Sequence, residues 1–451
     1  MLNFIWLGLL IAGVVFAGFT GRLDAINQGV LNAAKSAVMD VALPLTGAMA
    51  LWLGMMRLAE KAGLIKALAD RIRPLTTRLF PDIPPDHPAV GAMMMNIAAN
   101  MLGVSNAATP FGLKAMTQLN KLNSKPGVAT NAMCTFLALN TSSIQLIPAT
   151  AITILSINGA RNPAAIVGST LISTSIATVA AILLVRTLQH FGPFRWERQP
   201  GPPQNAAPET LTQNNGEPGT DAEEETPKPM RPWGPWLLGA LLLFFLGVFV
   251  ARMISPQEVP SPHSLFGGIL LGGFVRVFRA LSPLAVPLLL TSFPLYAASR
   301  QVQVYSEFVE GAKEGFQIAI RIIPYLVGML VAIGVFRESG CLEVLKSVLQ
   351  PVLSLVQIPS ELIPMILVRP LSGSGSIAVL SDLVKQFGPD NILSYMAATI
   401  YGSAETTFYV VAVYFGSVGI SRTRHAIPAG LLADLVGVMA AVLVCRLLFA
   451  G

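Results

Sequence analysis

Long runs of apolar residues, several near the roughly 20 residues that a helix needs to cross a bilayer, recur along most of this chain. They alternate with short polar stretches, so the pattern predicts membrane-spanning helices joined by loops. The composition agrees, because 53% of the 451 residues are hydrophobic and only 12% are charged. The sequence therefore predicts an all-α, polytopic membrane protein that contacts the lipid bilayer, with apolar runs near residues 4–19, 37–56, 128–156, 164–186, 315–335, 392–416 and 426–448.

The order of these runs is repeated along the chain. In each half an apolar helix leads into an amphipathic stretch, then into a polar segment interrupted by Gly or Pro, and then into two further apolar runs. Shared helix composition can mimic such a match once, but not five elements in one order, so we expect two tandem repeats. Three landmarks recur at nearly constant offset: Glu60 with Glu338, Leu64 with Leu342, and Pro74 with Pro351.

One segment between the repeats breaks the hydrophobic pattern. Residues 196–232 are rich in Pro, Gln, Asn, Gly and Glu and lack the apolar side chains that a packed core requires. This composition predicts a disordered cytoplasmic linker between two membrane units, residues 1–195 and residues 233–451.

Basic residues predict the orientation. Six of them crowd residues 57–78, and others flank the linker, which places both regions in the cytoplasm under the positive-inside bias. Arg422 and Arg424 would lie on the opposite side if both halves shared one orientation, so the charge pattern leaves parallel and inverted repeats open. The net charge of +6 is assigned to these loops, and nothing in the sequence indicates a nucleic-acid partner.

The interrupted polar segments are the strongest pointer to function. They read "NMLGVSNAATPFGLK" (residues 100–114) and "VRPLSGSGSIAVLSD" (residues 368–382), and each is too short for a full span. Free backbone groups cannot face lipid, so such segments are predicted to be broken or re-entrant helices buried in protein or lining a cavity. Paired broken segments at equivalent positions indicate the solute site of a secondary transporter.

Uncharged amide and hydroxyl groups concentrate around the first segment and the apolar run after it. They could hydrogen-bond a neutral or zwitterionic solute, or they could only cap a broken helix and satisfy its free backbone groups. The first-half candidates for substrate binding are Asn96, Asn100, Ser105, Asn106, Thr109, Asn140 and Ser142.

The charged candidates belong to the second segment and the run that follows, whereas the equivalent first-half run "LALNTSSIQLIPA" has no charged residue. Glu405 lies among roughly twenty otherwise uncharged residues, where burial disfavours an anion, so it is the first candidate for proton coupling or solute binding. The alternative is a structural ion pair with Arg369, for which Asp382 is a second possible partner and also a coupling candidate. Asp40 and Asp434 are second-tier candidates. The remaining second-half binding candidates are Ser372, Ser374, Ser376 and Thr406.

Three strings resemble a known family. "NMLGVSNAATPFGLKAM" is similar to the signature of spore maturation protein A, whereas "RPLSGSGSIAVLSDL" and "GSAETTFYVVAVYFGSVGI" are similar to that of spore maturation protein B. The chain therefore resembles a fusion of the two. The resemblance implies two nucleoside-recognition, or Gate, modules, a kind also found in nucleoside and ferrous-iron transporters. It also implies location in a bacterial inner membrane.

These observations favour a secondary transporter or binder of a small polar solute, with nucleosides or related metabolites implied by the family. The alternative is a structural or regulatory membrane protein that acts through a partner, as in spore maturation. An enzyme is not expected, since no nucleophile with a base and no paired-carboxylate spacing is found. We expect no metal site and no cofactor. Helices rich in Gly and Ala would suit a homodimer.

Overall fold

The structure, a computed structural model, describes residues 2–85, 87–103, 105–191, 228–254 and 268–449. Most of the predicted linker lies outside these residues. The described part is helical, as predicted, and its α-helices are α1 (Leu2–Thr20), α2 (Leu23–Ser36), α3 (Leu43–Lys61), α4 (Leu64–Leu79), α5 (Pro88–Leu102), α6 (Ser105–Lys121), α7 (Asn131–Thr141), α8 (Ala149–Ile157), α9 (Ile166–Leu188), α10 (Gly234–Ile254), α11 (Gly268–Ser299), α12 (Val304–Glu338), α13 (Cys341–Leu355), α14 (Ile363–Val368), α15 (Gly373–Phe387), α16 (Ile392–Ser403), α17 (Thr407–Gly416) and α18 (Ala426–Phe449).

Six helices in the described part of the chain are long and apolar enough to cross a membrane. The first of them joins α2 and α3 through a π-helical stretch at Ala37–Ala42, so the helix is longer than the predicted apolar run. The prediction of a multi-pass membrane protein is confirmed. The six spans are Leu23–Lys61, Pro163–Leu188, Gly234–Ile254, Ala280–Ser299, Val304–Glu338 and Ala426–Phe449.

The predicted repeat is visible in the order of helices. Helices α3 to α9 correspond in order to α12 to α18, so each repeat has seven helices. In both repeats a long helix is followed by an amphipathic helix, two helices that pack side by side, two short helices and a final long helix.

The first helices of the two repeats pack against each other in opposite directions. Arg57, near the end of α3, forms ion pairs with Glu307 and Glu314, near the start of α12. Further along α12, Gly315 lies against Ala50, which is earlier in α3. Contacts that advance along one helix and recede along the other show that α3 and α12 are antiparallel.

The last helices of the two repeats are antiparallel as well. Ile172, near the start of α9, packs against Val444 near the end of α18. Beyond the middle of α9, Ala181 lies in one cluster with Ala433, which is in the first half of α18. Equivalent helices therefore run in opposite directions at both ends of the repeat, and the two repeats are inverted with respect to each other.

The loops between helices meet in pairs that match this inversion. The loop before α7 bonds the loop before α18, because the Ala129 N–H donates to the Arg422 carbonyl at 3.0 Å. The loop before α9 bonds the loop before α16, because the Arg161 N–H donates to the Asp390 carboxylate at 3.0 Å. Arg422 therefore lies beside the first-half loop at residues 122–130, which removes the conflict that a shared orientation would create.

Four helices in each repeat position the candidate site. Helices α5 and α6 pack side by side with a break at Gly103, whose φ of +77° suits glycine, and α14 and α15 pack in the same manner. The apolar runs predicted near 128–156 and 392–416 are each broken: α7 and α8 are separated by residues 142–148, and α16 and α17 by residues 404–406. Whether the α5–α6 pair re-enters the membrane from one side stays a prediction.

Candidate functional site

The broken helices of each repeat are tied to the helix pair of the same repeat by one backbone bond. In the first repeat the Leu146 N–H donates to the Met101 carbonyl at 2.9 Å. In the second repeat the Phe408 N–H donates to the Pro370 carbonyl at 3.2 Å. The two equivalent bonds bring each pair of helix breaks together, so that polar side chains from separate elements meet there.

Amide side chains form a chain of hydrogen bonds at the first break. The Asn100 amide donates to Asn140 Oδ1 at 3.0 Å, and the Tyr414 hydroxyl donates to the same oxygen at 3.4 Å. Asn96 donates to Tyr414 at 3.1 Å and to the Ala108 carbonyl at 2.7 Å. Tyr414 belongs to α17, so this cluster joins the two repeats.

The side-chain oxygen of Asn96 is a hydrogen-bond acceptor that receives no donor from the described residues. The residue is fully buried, and its Oδ1 atom has no hydrogen-bond partner within the described residues. A buried carbonyl oxygen without a donor costs about 1–3 kcal/mol, so the position favours a bound water or a ligand that donates a hydrogen bond.

An ion pair occupies the second break. Arg369 Nη2 lies 3.3 Å from Glu405 Oε2, and its guanidinium lies 4.5 Å above the centre of the Tyr401 ring. The Arg369 side chain is 5% exposed, whereas that of Glu405 is 35% exposed. The sequence-based alternative of an Arg369–Glu405 pair matches this geometry, and Glu405 is less buried than its apolar neighbours suggest.

A second carboxylate adjoins this pair. Asp434 of α18 is buried, its Oδ2 accepts from the Thr407 hydroxyl at 2.5 Å, and its Oδ1 accepts from the Glu405 N–H at 3.4 Å. The sequence ranks Asp434 only as second-tier because it lies near one end of its apolar run. Its closeness to the break arises from packing between elements, so the order of residues gives little sign of it.

The two breaks are equivalent in geometry and different in charge. In the first repeat the Gln145 N–H donates to Thr174 Oγ1 of α9 at 3.4 Å, as the Glu405 N–H donates to Asp434 of α18. Asn100 precedes the acceptor Met101 as Arg369 precedes the acceptor Pro370. The residues in matching hydrogen-bonding positions, neutral in the first repeat and charged in the second, are Asn100 and Arg369, Gln145 and Glu405, and Thr174 and Asp434. The second break has two more residues between its two bonds than the first has, since Leu146 directly follows Gln145 whereas Phe408 is the third residue after Glu405.

The serines of the second segment have local backbone partners. Ser372 caps α15, since its Oγ accepts from the Gly375 N–H at 3.0 Å. Ser376 is buried and donates to the Ser372 carbonyl at 2.6 Å, and Ser374 Oγ lies 3.5 Å from Ser372 Oγ. These contacts fit the capping alternative and leave a binding role for the exposed part of Ser372 and Ser374 as a prediction.

The remaining uncharged candidates lie near the breaks. Ser142 is buried, its hydroxyl donates to the Ala138 carbonyl at 2.8 Å, and its own carbonyl accepts from Thr178 of α9. Thr406 is buried in the α16–α17 break, and Thr109 is half-buried on α6. Ser105 and Asn106 begin α6, but their side chains lie outside those that the structure describes.

Asp382 is not brought to the site. It binds Arg337 of α12 through both oxygens, at 3.0 and 3.1 Å. It lies nine positions after Gly373, which corresponds to about 14 Å along α15. Arg369 therefore pairs with Glu405, and Arg337 pairs with Asp382. The coupling role of Asp382 stays a prediction, and its distance from the helix breaks does not support it.

Within the described residues, no group of three or more His, Cys, Asp or Glu side chains could hold a metal ion. The site offers instead amides, hydroxyls, one guanidinium and two carboxylates. This set can bind a small polar solute by hydrogen bonds and ion pairs, and it can hold a proton.

Comparison with known proteins identifies both repeats. The family model described as Gate, nucleoside recognition, matches residues 42–158 and 319–421. Spore maturation protein B of Bacillus subtilis (strain 168) is 45% identical over 175 residues, which are 39% of this chain and 98% of that protein. Spore maturation protein A of the same organism is 43% identical over 186 residues, which are 41% of this chain and 94% of that protein. This chain belongs to the spore maturation protein family.

The matches to both A and B confirm the predicted resemblance and are consistent with a fusion of the two proteins. The Gate regions begin immediately before α3 and within α12, and they include all four helix breaks. Arg369, Glu405 and Asn100 therefore lie inside Gate regions, whereas Thr174 and Asp434 lie beyond them on the final helices.

Proposed function

We propose that this spore maturation family member is a secondary transporter, or a binder, of a small polar solute in a bacterial inner membrane. One observation carries the proposal: two inverted repeats place broken helices at equivalent positions, and buried polar side chains of both repeats meet there. Inverted repeats with discontinuous helices around a central site are the architecture of alternating-access transporters.

The chemistry of the site supports a polar solute. Asn96 and Arg369 each have a buried polar atom without a partner among the described residues, namely Oδ1 and Nε. A ligand that accepts from the guanidinium and donates to the amide would satisfy both groups. Nucleosides and related metabolites carry such groups, and the Gate model is described by nucleoside recognition. The site chemistry supports solute binding rather than enzymatic catalysis.

The proposal is tested by a thermal-shift screen of the purified protein against nucleosides, nucleobases, amino acids and small carboxylates at two pH values. A ligand that binds only the folded state raises the apparent stability, by about 2.7 kcal/mol at 100 times its dissociation constant. We expect a hit that is lost in Asn100→Ala and in Glu405→Gln. The matched control is Lys313→Gln, at an exposed position on α12, which should retain the hit.

A hit that all four proteins retain equally would place binding elsewhere and refute this site. No hit over the whole panel would favour the alternative function, in which the repeats act through a protein partner.

A further inference from the structure

The internal repeat serves as a control for the role of Asp434. Thr174 stands at the equivalent place on α9, and its uncharged hydroxyl oxygen accepts from the Gln145 N–H of its own repeat at the same 3.4 Å. The fold therefore needs only an acceptor oxygen at this position. Asp434 adds a group that can carry charge or hold a proton, and this addition requires a reason beyond backbone satisfaction.

The charges around Asp434 do not balance if every group is ionised. The charged groups that face it are Glu405 from the α16–α17 break and Arg369 from the α14–α15 break. Helices α7, α9, α16 and α17 bring hydroxyl, phenol, amide, thiol and apolar side chains to this region; the phenol is Tyr401 of α16, whose ring lies against the Arg369 guanidinium, and Arg186 lies at the far end of α9. One guanidinium is already in contact with one carboxylate, so an ionised Asp434 would be a second anion beside a single cation.

Burial makes that imbalance expensive. Asp434 is 6% exposed, and within the described residues no Lys, Arg or His lies within ion-pair distance of it. An unpaired anion buried in a membrane-spanning helix costs up to about 2.5–3.5 kcal/mol on insertion scales, the upper limit applying at the bilayer centre. The Thr407 hydroxyl and the Glu405 N–H can accommodate either form of the carboxyl group, because Thr407 can donate to the anion or accept from the acid.

We infer that Asp434, rather than Glu405, holds the exchangeable proton of this site. In the resting protein Glu405 is a carboxylate paired with Arg369, and Asp434 is a neutral carboxylic acid bonded to Thr407. Loss of the O–H proton to water leaves an Asp434 carboxylate, so release is favoured when the solute brings a positive charge to the site. The site would then exchange one proton for one cationic group. The coupling role rests on the proposed function, whereas the proton itself does not.

The test is infrared spectroscopy of the purified full-length protein at neutral pH, without any solute. A protonated carboxylic acid has a C=O stretch that a carboxylate lacks. We expect this band in the wild type and in Asp382→Asn, and its complete loss in Asp434→Asn. Asp434→Thr introduces the residue of the other repeat, keeps an acceptor oxygen, and should also lack the band while unfolding at a temperature near that of the wild type.

Two results would overturn the inference: a wild-type spectrum without the band, or a band that persists in both Asp434 variants. The measurement does not depend on transport. A band assigned to Asp434 together with a negative solute screen would retain the proton site and favour the partner-binding function over transport. A solute hit without the band would do the opposite.

Discussion

At the scale of residues, Arg369 is placed so that removal of its partner costs more than removal of the pair. Its side chain is 5% exposed and touches both Glu405 and the ring of Tyr401. Glu405→Gln leaves a buried guanidinium without a counter-ion, whereas Arg369→Met together with Glu405→Gln leaves no charge to compensate.

We therefore expect a double-mutant cycle to give a coupling energy of about 1–2 kcal/mol, moderated because Glu405 is partly exposed to solvent. Thermal unfolding in detergent measures the four proteins. The matched cycle uses Lys313 and Glu310, an exposed pair on α12, and should be additive. Additivity at Arg369 and Glu405 as well would show that their contact contributes no stability.

Residue types in the sequence indicate much of this site but not its pairings. Glu405 and Arg369 are identifiable because charges are rare in apolar runs. The role of Tyr414 is not, because it lies 318 residues from Asn96 and meets it only through packing of the two repeats. Asp434 is undervalued for the same reason, since its position on α18 gives no indication that the α16–α17 break lies beside it.

At the scale of elements, the crossing of α3 and α12 depends on glycines. A Cβ at Gly315 would lie 2.7 Å from both Ala50 Cα and the Met49 carbonyl oxygen, and backbone atoms cannot move aside as a flexible side chain can. Gly315→Ala is therefore expected to destabilise the protein by about 1–3 kcal/mol. The measurement is the midpoint of thermal unfolding.

Gly247 on α10 provides the control for this prediction. It is also helical, but no atom lies within 4 Å of an added Cβ. Gly247→Ala should be neutral or should stabilise the protein by about 0.5–1 kcal/mol through helix propensity. Equal effects of the two substitutions would mean that the close approach of α3 and α12 is not required for stability.

Hydrophobic periodicity predicts the existence of helices better than their continuity. It predicts the long spans and the amphipathic α4 and α13, because these depend on local sequence. It presents residues 128–156 and 392–416 as apolar runs, whereas each contains two helices with a break. The break persists because side chains and backbone of other elements bind its free groups, such as the Met101 carbonyl and Thr174 Oγ1. Hydropathy depends only on the local sequence, so it cannot indicate partners that come from other elements.

At the scale of the whole molecule, inversion explains why one protein can carry both a neutral and an ionic version of the same site. The two repeats place breaks at equivalent positions on helices that run in opposite directions. The first break has Asn100, Gln145 and Thr174 where the second has Arg369, Glu405 and Asp434. Only the second break is therefore ionic. The positive-inside pattern agrees with inversion, since Arg422 then lies beside the loop that holds Lys125 rather than on the opposite side.

Inversion predicts the sidedness of four loop positions. Ser124 precedes α7 and Arg422 precedes α18, and these two loops are bonded to each other. Arg161 precedes α9 and Asp390 precedes α16, and these loops form the second bonded pair. Single cysteines at Ser124 and Arg422 should therefore react with a membrane-impermeant maleimide from one side, expected to be the cytoplasm, and those at Arg161 and Asp390 from the other.

The experiment uses full-length protein in which Cys134, Cys341 and Cys445 are replaced, with labelling of intact cells compared with labelling of permeabilised cells. Parallel repeats make a different prediction, because the loops before α7 and α16 are equivalent. They would place Ser124 on the same side as Asp390, and Arg161 on the same side as Arg422. Labelling in that pattern would contradict the antiparallel packing of α3 against α12 and of α9 against α18. It would also remove the basis for a site shared by inverted repeats, because Tyr414 could not then reach Asn96 and Asn140 from the second repeat.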